Sequence, residues 1–459
     1  EDSMGWIKWL WPGMNLKRWL FLFTIGAVFS AIGIALVFNY QFIGFIEELL
    51  FKMMYMATGE YYKAISMAGG ISILLVGLIV MFYATRQIIH SVMESVLPGE
   101  NTSLMERIFR QRKLNKGPAI TVVGGGTGLS VLLRGMKYIT HNCTAVVSTA
   151  DNGGSSGRLR QELGIIPPGD LRNCLVALAD TEPLMEKVMQ YRFKGDTPLA
   201  GHNLGNLFIA ALAEAEGSME AGLVAVSEIL KVRGHVVPST LENVNLMAEM
   251  SDGTIVKGES EISLAQKRIK KLQIVPSDAK ATQGAIAAIM EADVLIFGPG
   301  SLYTSVIANM LVPEIKEAII ESDAVKIYVC NVMTQPGETD GYGAYDHVKA
   351  IIDHVGQQFL DYVVVNSERV TDAQLAMYQE KGSMPVSPDI EQIRQLGIEV
   401  VANSLISTTD FVRHNPVKLA QTIISLVYRL RLFGKGMQFF DYVFVRQSIR
   451  NLEKNKRGE

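Results

Sequence analysis

The sequence predicts an α/β fold, a doubly wound and mostly parallel sheet preceded by two transmembrane helices. Two observations carry that prediction. Five short apolar runs, AITVV (119–123), AVVST (145–149), DVLIF (293–297), KIYVC (326–330) and DYVVV (361–365), each end in a polar or glycine-rich turn before the next helical stretch. Strands that alternate with helices build parallel sheets, because each connection must cross back before the next strand can pair. The second observation is two long uncharged stretches within the first hundred residues.

Those stretches come first in the chain. No charged side chain lies between Arg18 and Glu47, and WLFLFTIGAVFSAIGIALVF (Trp19 to Phe38) is almost wholly apolar. About 20 such residues cross a hydrocarbon core, so a span is expected over about 19–40. The second uncharged run lies between Lys63 and Arg86, with a span over about 64–85. Its small residues Ala68, Gly69, Gly70 and Gly77 suit a close helix pair. A signal peptide is excluded because the first run is too long, lacks a small-residue cleavage site and is followed by a second span.

Basic residues set the expected orientation. Lys8, Lys17 and Arg18 precede the first span, Arg86, Arg107, Arg110 and Arg112 follow the second, and the loop between carries as many acids as bases or more. Both termini and the soluble domain are therefore expected on the cytoplasmic side of the cell membrane, with Trp6, Trp9, Trp11 and Trp19 forming an interfacial belt. Residues 1–96 are read as the anchor and 97–117 as a basic linker, either lying on anionic lipid or simply solvated.

The remainder, 118–433, is expected to hold the sheet. Within it a β-rich insert near 232–275 alternates apolar and polar residues around Asp252-Gly253, a hairpin signal. It reads as a flap over a pocket or a contact between copies in a homo-oligomer. A basic C-terminal extension, 434–459, ends the chain. A net charge of −3 with 19% charged residues excludes a general nucleic-acid binder. Cys143, Cys174 and Cys330 are far apart and show no metal-ligand spacing, so they read as reduced core residues.

Ligands of doubly wound sheets collect beyond the carboxyl ends of the strands, which is where the turns fall. Gly124, Gly125, Gly126, Thr127 and Gly128 follow the first strand and open a helix, so backbone N–H groups can hold a phosphate. Leu129 and the lack of a Lys-Ser or Lys-Thr pair set this turn apart from the standard nucleotide templates. GPGSLYTS repeats the logic with Gly298, Gly300 and Tyr303 and with Ser301, Thr304 and Ser305, whose hydroxyls either cap the helix or reach an anion. Asn331 opens the next turn, and GHNLGNL places His202, Asn203 and Asn206 at a helix start.

The richest turn is ADNGGSSGRLRQELGIIPPGDLRN, from Ala150 to Asn173. Its Arg158, Arg160 and Arg172 suit forked contacts to phosphate oxygens. Asp151 and Asp170 either bind a magnesium ion bridging those oxygens or orient the arginines as salt-bridge partners. Asn152 stands beside Asp151.

With VVGGGTGLSVLLRGMK, this Ala150–Asn173 turn, YRF, LAGHNLGNL, GPGSLYTS and NVMTQPGETDGY in one order, the chain resembles the YvcK-like gluconeogenesis factor family. That family is related to CofD, the 2-phospho-L-lactate transferase of deazaflavin coenzyme synthesis. The resemblance covers about Ala119 to Leu432 and leaves out the two expected spans and the tail. It implies a Rossmann-like domain that binds UDP-sugars such as UDP-N-acetylglucosamine or UDP-glucose, and a role in cell shape, cell-wall precursor control and growth on gluconeogenic carbon sources. It implies further that Thr127 lies at the phosphates and that Tyr378 and Arg413 belong to the site. A tyrosine ring can stack on uracil and an arginine can clamp a pyrophosphate. Where many relatives carry two adjacent aspartates this chain has Asp151-Asn152, which weakens a mechanism needing paired carboxylates for a metal.

Two functions are thus expected. The first is a membrane-tethered UDP-sugar-binding regulator that requires no further cofactor and whose protein partner the sequence does not name. The other is a magnesium-dependent transferase acting on a deazaflavin acceptor, with Asp151 and Asp170 in the catalytic role and the Gly and Arg loops stabilising phosphate charge. Tyr378, Arg413 and the MTQPGET run favour the first.

Overall fold

The structure is a computed structural model. It describes residues 16–37, 63–96 and 117–431 apart from 181–182, 372–374, 376–377, 379–381 and 408–412, with a few single positions besides. The tryptophans Trp6, Trp9 and Trp11, nearly all of the expected linker and the basic tail lie outside the described residues. Two compact units divide the chain, 1–110 and 111–459.

In the first unit, helices α1 (Leu16–Val37) and α2 (Lys63–Val96) pack along small residues. A Cβ on Gly26 would lie 2.7 Å from Met81 Cγ, one on Gly33 2.6 Å from the Leu74 nitrogen, and one on Gly77 2.6 Å from the Ser30 nitrogen. The backbones therefore meet at a distance that only these residues permit. Of the expected small residues Gly70 and Gly77 are buried, whereas Ala68 and Gly69 are exposed. Large apolar side chains face outward, among them Phe21, Ile79 and Phe82, the last 74% exposed. This is the reverse of a water-soluble helix pair. Among the described residues one helix, Ala68–Ile88, is long and apolar enough to cross a membrane; the apolar stretch of α1, Phe21–Ile34, is shorter. The expected pair of spans is thus met by length and composition for its second member alone.

The second unit is built on a seven-stranded sheet in the order β10-β9-β8-β7-β1-β2-β3. The strands are β1 (Ile120–Gly124), β2 (Cys143–Val147), β3 (His235–Pro238), β7 (Val294–Phe297), β8 (Val325–Val329), β9 (Tyr362–Asn366) and β10 (Glu399–Asn403). All pair in parallel, with Ile120 opposite both Cys143 and Val294. All five residues of β1 are buried, since helices cover both faces. The helices between β1 and β3 are α3 (Gly126–Met136), α4 (Gly154–Leu163), α5 (Gly169–Leu178), α6 (Pro183–Gln190), α7 (Leu204–Ala215) and α8 (Met219–Ile229).

The expected insert is split by the fold. Its first strand, β3, joins the edge of the main sheet beside β2. The rest forms a small antiparallel sheet, β5 (Ile255–Lys257), β4 (Asn245–Met250) and β6 (Ile269–Val275), in the order β5-β4-β6. The turn between β4 and β5 holds Asp252-Gly253, where Gly253 takes φ +84 and Asp252 Oδ1 accepts from the Thr254 N–H at 3.0 Å. The short helix α9 (Glu259–Leu264) follows β5. Beyond β6 come α10 (Gln283–Met290), α11 (Pro313–Glu321), α12 (Ala344–Val355), α13 (Ile390–Arg394) and α14 (Pro416–Arg431). One apolar layer joins α3, α5 and α14 to the sheet, and the other joins α10, α11, α12 and the small sheet.

Candidate functional site

Chain order reverses between β1 and β7, because β1 to β3 progress one way and β7 to β10 the other. A crevice opens beyond the carboxyl ends at such a point, and ligands of open α/β sheets bind there. A cleft of about 580 Å³ lies at this position.

The turn after β1 forms one wall. Gly126 takes φ +69, and α3 begins without a side-chain cap from Gly125, its Gly126 N–H bonding Asp170 instead. Gly125 has no room for a side chain, since a Cβ would lie 2.6 Å from Asp170 Oδ2. At Gly128 a Cβ would lie 2.7 Å from the Pro299 oxygen, so the turn after β1 rests directly on the turn after β7.

That second turn is held rigidly. Gly298 takes φ +75. Asn331, two residues beyond β8, clamps Gly300 from both sides, its Oδ1 accepting from the Gly300 N–H at 3.2 Å and its Nδ2 donating to the Gly300 carbonyl at 2.7 Å. Ser301 caps the π-helical turn Leu302–Ile307 by accepting from the Thr304 N–H. Its hydroxyl and that of Thr304 both donate to Glu338, as do Gln335 Nε2 and Ser263 Oγ. Glu338 is 1% exposed, and burial raises its pKa against the pull of these donors. Of the two readings of these hydroxyls, cap or anion contact, the capping one describes the geometry seen.

Three carboxyl groups face the cleft, Asp151, Asp170 and Glu259. Burial pushes Asp170 up to about 6, reinforced by Asp151 and opposed by the Gly126 N–H and by Arg172. Burial likewise pushes Glu259 up to about 8, with Asp151, Asp170 and Glu338 adding repulsion, and Glu259 shares a hydrogen bond with Asp151. Asn152 sets this arrangement, because its Oδ1 accepts from the Ser260 N–H at 3.0 Å and so pins the start of α9, which carries Glu259. Among the described residues no group of three or more His, Cys, Asp or Glu side chains stands ready to hold a metal ion.

The structure brings Gly125, Gly126, Thr127, Gly128, Asp151, Asp170, Gly300, Ser301, Thr304, Asn331, Tyr378 and Arg413 onto the cleft lining. Gly124 and Gly298 shape the turns beneath it. Other expected residues go elsewhere. Arg160 is 6% exposed and reaches Asn243 Oδ1 at 2.6 Å, the Val244 carbonyl at 2.5 Å and Asn245 Oδ1 at 3.1 Å, tying α4 to the start of β4. Arg158 donates to the Ala200 carbonyl at 3.0 Å, and Arg172 to Asn206 Oδ1 at 2.7 Å. His202, Asn203 and Asn206 gather around Ser155 Oγ, all within 3.3 Å, and Asn203 caps α7. Tyr303 is buried with its hydroxyl 2.8 Å from that of Tyr342. These arginines and amides brace the walls, since backbone carbonyls left in a buried turn demand donors.

Sequence reasoning passed over Glu259, Gln335, Glu338 and His414, whereas Ser305, singled out with Ser301 and Thr304, does line the cleft. Glu338 stood in view within MTQPGET, and Glu259 follows the D-G hairpin directly. Only the fold carries that hairpin's far end back to Asp151.

With this geometry in place, comparison with known proteins is informative. A family model described as 2-phospho-L-lactate transferase CofD matches residues 120–406. A relative from Nostoc sp. is 44% identical over 422 residues, 91% of this chain and 92% of its own. That length exceeds the stretch from 119 to the C-terminus, so part of the N-terminal region matches too. The gluconeogenesis factor of Bacillus subtilis is 46% identical over 315 residues, 68% of this chain and 99% of its own. A crystal structure of a Bacillus halodurans protein shares 47% identity with a TM-score of 0.66, covering 67% of this chain and 99% of that one.

Proposed function

The chain belongs to the CofD family, among the gluconeogenesis factors, and from that premise we propose that it is a UDP-sugar-binding regulator tethered to the cell membrane. Its ligand is UDP-N-acetylglucosamine or UDP-glucose, and its output is control of cell shape, of cell-wall precursors and of growth on gluconeogenic carbon sources. The observation that carries this reading is a convergence. Tyr378 and Arg413, more than two hundred residues beyond the Gly125–Gly128 turn, line the same cleft with it. An aromatic ring, a guanidinium and the start of a helix suit a base, a diphosphate and its negative charge respectively. The tether is two helices, α1 and α2, whose small residues pack inward and whose large apolar residues face out.

Calorimetry on the full-length protein in detergent tests the reading. UDP-N-acetylglucosamine should bind, and Tyr378→Ala and Arg413→Ala should each weaken it by about tenfold or more. Wild-type protein that binds no UDP-sugar would refute the proposal.

One observation favours a second reading, a 2-phospho-L-lactate transferase-like enzyme acting on a deazaflavin acceptor. Asp151, Asp170 and Glu259 share the cleft, and the raised Asp170 and Glu259 suit proton transfer near neutral pH. The described carboxylates do not form a ready magnesium cage. Consumption of a deazaflavin acceptor that depends on magnesium, and is lost in Asp170→Asn, would establish this reading instead.

A further inference from the structure

We propose that a second cavity, separated from the cleft by the turn 335–340, binds a small zwitterion of the amino-acid type, and that its occupancy tunes ligand binding in the cleft. The ligand's carboxylate lies on Arg268 and its ammonium on Asp340. The cavity stands on its own geometry; only the coupling rests on the cleft being a nucleotide-sugar site.

The cavity measures about 520 Å³, an ordinary size for a small-molecule site. Gln266, Arg268, Pro336, Gly337, Asp340 and Tyr342 line it. Its polar side chains are within reach of a ligand, since Gln266, Arg268 and Asp340 are all exposed. The Arg268 guanidinium lies over the Tyr342 ring, 5.3 Å from its centre, and bonds the Tyr342 hydroxyl. Tyr342 thereby orients the fork at the cavity wall and leaves N–H groups for a carboxylate. Asp340 is held from the other side, Oδ2 accepting from the Gly337 N–H at 2.7 Å, which leaves a second oxygen for an ammonium.

Among the described residues neither Arg268 nor Asp340 forms an ion pair. Asp346 adds its charge near Arg268, but it lies outside the cavity lining and its Oδ2 takes the Gly343 N–H at 2.9 Å. A cation and an anion kept apart in one cavity complement a ligand that carries both charges. Gln266 is an independent sign of a site. It follows Ala265, the cap of α9, and takes φ +50, where glycine is the residue of least cost. A strained residue with an exposed amide at a cavity wall is explained by what its side chain does there.

The turn 335–340 is shared by both cavities. Pro336 lines the one and the other. Glu338 accepts from Ser301, Thr304 and Gln335, all three on the cleft lining. Gly337 presses on α9, which carries Glu259, since a Cβ there would lie 2.0 Å from the Ser263 oxygen. A ligand that fixes this turn therefore acts on two walls of the cleft, and such linkage is reciprocal.

The test is calorimetry on the full-length protein in detergent, after a thermal-shift screen of the standard amino acids. At least one should bind. Its carboxamide and its N-acetyl derivative, each lacking one charge, should bind about tenfold more weakly or worse. Arg268→Gln and Asp340→Asn should weaken binding to about the same degree, the latter while keeping an acceptor for the Gly337 N–H. Gln266→Gly should raise the melting temperature and still weaken binding, which a merely structural residue would not do. The bound amino acid should change the Kd of UDP-N-acetylglucosamine by about fivefold or more. Failure of every amino acid to bind overturns the site. Equal binding by both derivatives also overturns it, and that arm needs no variant to fold. Binding that survives both Arg268→Gln and Asp340→Asn puts the amino acid elsewhere and overturns the assignment. An unchanged Kd for the nucleotide sugar overturns the coupling. Where UDP-N-acetylglucosamine itself does not bind, the nucleotide reading falls, while the amino-acid titration still decides the site.

Discussion

Asp170 has a raised pKa for a reason visible in its neighbours, and the reason makes a pH prediction. Burial and the charge of Asp151 move it from its ordinary value near 3.8 to about 6. A carboxyl group whose folded pKa lies above its unfolded one favours the folded state when protonated. Its contribution is therefore fully present below about pH 4 and is lost as pH rises through 6. Asp170→Asn keeps an acceptor for the Gly126 N–H and removes the charge, so it should raise stability at pH 7 by about 2–3 kcal/mol. Unfolding followed at pH 4 and pH 7 checks this, since the gain should nearly vanish at the lower value. Residue identity told much less about Arg158, Arg160 and Arg172. Their forked donors match a phosphate and a buried turn equally well, and here the partners are Ala200, Val244 and Asn206. Asn152 reads in sequence as a lost ligand; in the fold it anchors the helix that presents Glu259.

The two glycine turns behave as one element, because the start of α3 rests on the turn after β7. Gly128→Ala introduces a methyl group 2.7 Å from the Pro299 oxygen and 2.9 Å from Gly300 Cα, both backbone atoms that cannot swing away. The variant should lose about 1–3 kcal/mol of stability and also weaken nucleotide binding, measured by denaturation and calorimetry on the same preparation. Equal binding with lowered stability would separate the packing role from the site. At this scale the sequence was most legible where burial is complete. Runs such as AITVV and DVLIF read as strands because both faces of the sheet are covered. β2 was placed two residues late, since Ser148 and Thr149 are buried but lie past the last pair, Gly124 with Val147. The edge strands were harder to read for the opposite reason, β3 being taken as part of the separate insert and β10 not recognised. β3 is four residues long and begins with an exposed His235, and β10 is only partly buried, so neither carries a full apolar run.

On the scale of the whole molecule the proposed tether and the proposed nucleotide site make separate claims. Removal of residues 1–96 should move the protein from the membrane fraction to the soluble fraction of broken cells, and full-length protein found in the soluble fraction would contradict the tether. The cleft was legible as a set of turns on one sheet edge, since strand order alone carries the turns after β1, β7 and β8 together. Its third carboxyl group was not, because a hairpin of the small sheet delivers Glu259 from outside that edge. The central claim is that one cleft at the reversal of strand order holds a nucleotide sugar. A crystal structure of the protein with UDP-N-acetylglucosamine tests it most directly. The account predicts the diphosphate on the N–H groups of Thr127 and Gly128 and the uracil against Tyr378. Ligand density anywhere else on the molecule, with this cleft empty, would contradict it.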